Sequence, residues 1–247
     1  MRWRLRVVNV NVIWKRTSPD QSLTVYETTE LYGERGRFRV LAFSEAAVQG
    51  AIDLSDPDRF VLEYPRAMLH VMECTDPTFE DVFLIGHGVG TMPGRLQGKR
   101  LRIAELDADV AELSASHFGY RGVPPVIGDG RLLLEREAPQ SLDFVVVDAF
   151  TEDGVPDRLV DADFFRLARE KLDDRGAALF NVTVRGERDL RTSSVFAALR
   201  AEFAYAKAFV LPSANAADQR NAILVGGSSP IRYQARRMAG FVEVDRL

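Results

Sequence analysis

Apolar residues follow two different rhythms along the 247-residue chain. Up to about residue 50 they fall in short stretches, 5–13, 23–27 and 38–43, separated by the turn-rich T-S-P-D and G-E-R-G. Leu23 and Val25 alternate with Thr24 and Tyr26, and Val40 with Arg39 and Leu41, which predicts a small antiparallel sheet with one wetter face. Gln49-Gly50 is read as its end. In the next segment Leu62, Met68, Leu69 and Met72 are core positions of a helix, with a start near Arg66 because Pro65 suits a first helical position. His70 on this helix is read as a packing or surface residue.

Beyond residue 80, continuous apolar runs alternate with amphipathic stretches. Strands are expected over 82–85, 100–105, 125–127, 142–148 and 177–184, and helices over 92–97, 107–118, 131–137, 161–172 and 190–202. Unbroken runs such as V-F-L-I and F-V-V-V mark parallel strands covered on both faces. Asp107 is a fair N-cap, and Asp173-Asp174-Arg175-Gly176 reads as a stop between helix and strand. The last two runs, 205–211 and 221–225, follow each other too closely for a crossover helix, so an antiparallel addition is expected. The fold class is therefore α/β, with a small β-domain over 1–55 and a mostly parallel, nucleoside-binding domain over 56–247.

Composition narrows the partners. A hydrophobic fraction of 46%, a charged fraction of 28% and a net charge of -4 are those of a globular chain with no long-range attraction for nucleic acid. No run reaches membrane-span length, and the asparagines in V-V-N-V-N-V favour a strand over a leader peptide. Cys74 is the single cysteine, and His70, His87 and His117 have no metal-ligand spacing, so no disulfide and no metal are expected. A cytoplasmic location follows as an expectation.

The candidate chemistry sits where strands end. G-H-G-V-G-T over 86–91 puts Gly86, Gly88 and Gly90 directly after a buried strand, where bare backbone can turn tightly and approach a ligand. Glu105 follows Gly86 by 19 residues, the spacing at which a carboxylate accepts ribose hydroxyls. Gly90 comes two residues after Gly88 instead of three, which disfavours NAD, and no P-loop motif is present. Asp129, in I-G-D-G-R with Gly130, is either a helix-capping turn residue or a partner for an adenine amine. Asp148 ends F-V-V-V-D at the mouth of a buried strand. Glu152, Asp153, Asp157 and Asp161 in the following loop form an acidic rim suited to a cationic co-substrate. Arg185, Arg188 and Arg191 are read as a solvent-facing basic patch.

These motifs resemble those of the spermidine/spermine synthase family, the aminopropyltransferases, over about residues 20–228. G-H-G-V-G-T stands where that family carries G-G-G-D-G-G, Glu105-Leu106-Asp107 is similar to its E-I-D, and Gly128-Asp129-Gly130 to its G-D-G. Asp148 resembles the first aspartate of its D-x-x-D-P loop, the proposed base. Gln49 resembles a glutamine reaching the nucleoside from the N-terminal domain, and Tyr64 a tyrosine lining the polyamine side. Val89 replaces the glycine-loop aspartate, and Thr151 the second loop aspartate.

The resemblance implies a Rossmann-like, S-adenosylmethionine-dependent methyltransferase fold and a homodimer. It also implies aminopropyl transfer from decarboxylated S-adenosylmethionine to a diamine such as putrescine, with no metal. In that reading Gln49, Gly86, Gly88, Gly90, Glu105, Asp129 and Gly130 hold the donor, Tyr64, Glu152 and Asp153 the acceptor, and Asp148 takes the proton. Two rivals stay open: methyl transfer from S-adenosylmethionine, which the loss of acid at Val89 fits, and a non-catalytic relative.

Overall fold

The computed structural model describes residues 10–17, 22–44, 47–151, 154–186, 189–213 and 218–247. The N-terminal part is a four-stranded antiparallel sheet in the order β1-β2-β3-β4, with β1 Asn11–Arg16, β2 Leu23–Leu31, β3 Glu34–Ser44 and β4 Ala47–Asp53. The expected first strand over 5–13 lies mostly outside the described residues, and β1 runs three residues further. Gln49-Gly50 does not end the sheet: both lie inside β4, where Gly50 pairs with Leu41 of β3 and Gln49 stands at a bulge.

The expectation of a wetter face is also corrected. Leu23, Val25, Leu41 and Phe43 bury one face, and Tyr26, Phe38, Val40, Ala42 and Ala51 the other. Apolar residues occupy both parities of β3 from Phe38 to Phe43, and a strand apolar on both sides is covered on both sides.

The second sheet has eight strands in the order β12-β10-β11-β9-β8-β5-β6-β7. Its centre is β5 Asp81–Ile85, flanked by β6 Arg100–Glu105 and β8 Leu142–Val147, with β7 Val126–Ile127 and β9 Leu172–Arg185 outside them, all parallel. β10 Tyr205–Val210 and β11 Gln219–Gly227 form the expected antiparallel addition, with β11 inserted against β9, and the unforeseen β12 Val242–Val244 closes that edge.

Along β5 the side chains alternate between two cores. Val82 and Leu84 join α1 Glu63–Thr75 and α2 Thr91–Arg95 on one face. Phe83 and Ile85 join α4 Gly130–Glu135, α5 Ala162–Lys171 and α6 Leu190–Glu202 on the other. Helix α3, Ala108–Ser116, packs elsewhere: Val110 and Leu113 share a cluster with Leu23, Leu41 and Phe43 of the first sheet. The first sheet thus shares a core with α3 and with Val89 of the turn that follows β5.

Two boundaries differ for physical reasons. α1 begins at Glu63, so Pro65 sits third in the helix, where its missing N–H is still one that no helical carbonyl needs. Asp173 to Gly176 do not stop β9 but bulge within it: Leu142 faces Leu172 while Phe144 faces Ala177. Strand order reverses at β5, since β6 and β7 extend to one side and β8 and β9 to the other, which opens a crevice at the carboxyl ends of the central strands.

Candidate active site

Main-chain bonds knit the ends of β5, β6 and β8 together. Gly86 N–H donates to the Ala104 carbonyl at 2.9 Å, Asp148 N–H to Ile85 at 2.8 Å, and Gly128 N–H to Glu105 at 2.8 Å. Gly86 has φ +97°, and a Cβ there would lie 2.1 Å from the Asp148 carbonyl oxygen, so only glycine lets these strand ends close. Gly88 faces open space beside the Gln49 carbonyl. Above this turn lies a cleft of about 1160 Å³, counting its open mouth, which Gly86, Gly88, Glu105, Gly130, Asp148 and Tyr64 line together with Gln49.

Glu105 is held on both oxygens by main-chain N–H groups, from His87 and from Asp107, at 2.9 Å each. Burial raises its carboxyl above the ordinary range and these bonds work against that rise. Each oxygen keeps a free lone pair for a hydroxyl. Asp107 caps α3 through the Asp109 N–H and pairs with Arg16 of β1, whose guanidinium holds its carboxyl below the usual range. The first sheet is thereby clamped to the rim of the cleft.

His87 lies beneath the glycine turn, 4% exposed, with its ring edge-on to Tyr120. Ser114 Oγ gives its proton to the Ala111 carbonyl, so His87 Nε2 is the donor in their 2.7 Å contact and Nδ1 carries no proton. Nδ1 is buried with no hydrogen-bond partner, and burial lowers the imidazole to about 4. Val89 borders the cleft and packs into the core it shares with the first sheet, against Gly50.

Asp148, at the end of β8, accepts from Tyr64 Oη at 2.9 Å and from Asn181 Nδ2 at 2.8 Å. Burial raises its carboxyl, against the pull of these two donors. The Tyr64 phenol is raised well above its ordinary value, by burial first and then by the Asp148 charge, so it stays a donor. Asn181 Oδ1 in turn accepts from Asn221 Nδ2 at 2.9 Å. Sequence reading missed both asparagines: the only signal of Asn181 is a polar residue breaking the buried run of β9, and Asn221 stands just before the buried run of β11.

Several expected site residues are placed differently. Gly90 caps α2 with φ +85°, and a Cβ there would meet the Tyr120 ring at 2.5 Å; the cleft is lined without it. Asp129 is also absent from the lining. It caps α4 through the Arg131 N–H at 2.9 Å and pairs with the Arg158 guanidinium, and Arg158 lines the cleft in its stead. Arg158 was missed because a loop folding back from β8 brings it there.

Of the expected acidic rim, the two described members have basic partners: Asp157 pairs with Arg191 at 2.6 Å, and Asp161 caps α5 and pairs with Arg131. Arg191 ties the loop to α6 and, like Arg185, is exposed, as expected of a solvent-facing basic patch. Glu152, Asp153 and Arg188 lie outside the described residues. Thr151 lines the cleft and donates to the Gly154 carbonyl at 3.0 Å. His70 is 3% exposed and accepts the Gln234 N–H, a packing role. Among the described residues no His, Cys, Asp and Glu group is placed to hold a metal, and no helix is long and apolar enough to cross a membrane.

No family model matches the chain. It is 26% identical over 159 residues to a polyamine aminopropyltransferase of Neisseria meningitidis, covering 60% of this chain and 59% of that protein. A polyamine aminopropyltransferase of Vibrio vulnificus is 25% identical over 179 residues, 65% of this chain and 60% of that one. The matches thus span about three fifths of these curated relatives.

Among solved structures, a probable spermidine synthase from Corynebacterium glutamicum superposes with a TM-score of 0.73 at 20% identity, over 91% of this chain and 82% of that one. Spermidine synthase from Thermotoga maritima gives 0.66 at 14% identity, over 94% and 84%. Human methyltransferase-like protein 13, solved in complex with SAH, gives 0.54 at 18% identity, over 72% and 87%.

Proposed function

For a chain that matches the spermidine synthase family in sequence and fold as a divergent relative, we propose a transferase that moves an aminopropyl group from decarboxylated S-adenosylmethionine to a primary amine. The observation that carries this reading is the buried, doubly hydrogen-bonded Asp148 at the cleft floor, on the opposite side of β5 from Glu105. The nucleoside lies over β5 and β6, with its ribose hydroxyls on Glu105 and its sulfonium arm over Gly86 toward β8. The amine attacks the carbon next to sulfur in line. A C–N bond forms, the C–S pair returns to sulfur as a neutral thioether, and the extra proton on nitrogen passes to Asp148. A carboxylate raised by burial is a stronger base than a solvated one. Holding the amine against that carbon supplies the rest of the rate.

Methyl transfer from S-adenosylmethionine is the second reading. It is favoured by Val89, which leaves the donor arm without a carboxylate at that position and turns its side chain into the core. Calorimetry with both donors, followed by mass spectrometry of products from several amines, tests the two. Tighter binding of the decarboxylated donor and a product heavier by an aminopropyl group are expected; tighter binding of the ordinary donor and a methylated product would replace the first reading by the second.

A further inference from the structure

Asn181 interrupts a strand whose neighbours Phe180 and Val182 are core residues, and it is 1% exposed. Its amide has two partners in line: nitrogen donates to Asp148 Oδ1 at 2.8 Å, and oxygen accepts from Asn221 Nδ2 at 2.9 Å. An amide has one donating and one accepting end, so the two bonds are coupled. While Asn221 offers an N–H, Asn181 keeps its oxygen on β11 and its nitrogen on Asp148. Turning the amide over would set its oxygen against a carboxylate, an arrangement that only a protonated Asp148 could satisfy.

We propose that Asn221 is a positioning residue: by fixing the Asn181 amide it holds Asp148 as the ionised acceptor of the attacking amine's proton. This rests on Asp148 being the base of the proposed reaction. The other ionisable groups around Asp148 are Tyr64 on α1 with Tyr32 behind it, His87, Glu105 and Asp107 at the ends of β5 and β6, and Arg158 across the cleft. Of these, Tyr64 is the one within hydrogen-bond distance, and it donates to the other carboxylate oxygen. Orientation of Oδ1 is therefore left to Asn181, and orientation of Asn181 to Asn221.

The test is the titration of Asp148 in Asn221→Asp and Asn221→Leu, read by carbon-13 NMR of the carboxyl and by the acid limb of the kcat/KM profile. Aspartate at 221 can only accept, so Asn181 turns its nitrogen toward it and its oxygen toward Asp148. Leucine removes the donor without adding charge. Both variants are expected to raise the Asp148 titration, by about one pH unit for Asn221→Asp, the size of one lost hydrogen bond to a charged group. The turnover plateau should return at alkaline pH, and donor affinity by calorimetry should stay within about twofold because no donor-binding group is altered.

An unchanged titration in both variants overturns the proposal. So does a shift confined to Asn221→Asp, which would assign the effect to the added charge. Where Asn221→Asp fails to fold, Asn221→Leu decides alone, with Asn181→Leu giving the upward shift of Asp148 that complete loss of the donor produces. The NMR titration needs no substrate, so failure of the transferase reading would leave this inference separately decided.

Discussion

At Asp148, burial and hydrogen bonding act in opposite directions, and burial prevails, which leaves a carboxylate more basic than a solvated one. Asp148→Asn should lower kcat by roughly 10²- to 10⁴-fold, the range of a lost general base, with donor affinity little changed. Equal losses in turnover and donor binding would instead make Asp148 a binding residue. At Glu105 the two N–H groups at 2.9 Å aim both oxygens into the cleft. Glu105→Ala should weaken adenosine or methylthioadenosine by about 2 kcal/mol, which calorimetry would read as a roughly 30-fold change. Both acids were legible in the sequence because each ends a buried strand, where a charge needs a reason. Asn181 and Arg158 were not, since their partners, Asp148 and Asp129, come from other strands or loops. Asp129 was found as a motif, but what it bonds is decided by a loop that closes across the cleft.

Among the elements, the parallel strands were legible from unbroken apolar runs, and α6 falls over the residues expected for it. β4 was not, because A-V-Q-G-A-I-D mixes a glycine and a glutamine into a weak alternation whose purpose is tertiary: Gly50 makes room for Val89. A Cβ at Gly50 would stand 2.8 Å from the Val89 side chain. The glycine turn therefore packs into a core built from β2, β3 and α3 as well as bounding the cleft. Restoring an acid with Val89→Asp should cost about 2–4 kcal/mol by burying an unpaired carboxylate. Chemical denaturation would measure it; an unchanged midpoint would mean that the carboxylate turns out of the core into the cleft that Val89 borders.

For the molecule as a whole, pH stability offers a separate check. Free histidine titrates near 6.5 and buried His87 near 4, so below pH 6.5 the unfolded chain takes up a proton that the native state refuses. His87 thus contributes stability above pH 6.5 that is lost as pH falls toward 4, about 3 kcal/mol in all. Urea unfolding at pH 7 and pH 4.5 should show a steeper loss for the parent than for His87→Phe, which keeps a ring against Tyr120 but cannot titrate. Parallel losses would place the imidazole in contact with solvent.

The shared core also links Arg16 of β1 to Asp107 at the cleft rim and Gln49 of β4 to the space over Gly88. Since β3 and β4 of the N-terminal sheet supply one wall of the cleft, any molecule that fills it disfavours opened forms in which that sheet has lifted away. Saturating methylthioadenosine should then slow trypsin cleavage within those strands, although the nearest scissile arginines never touch the nucleoside.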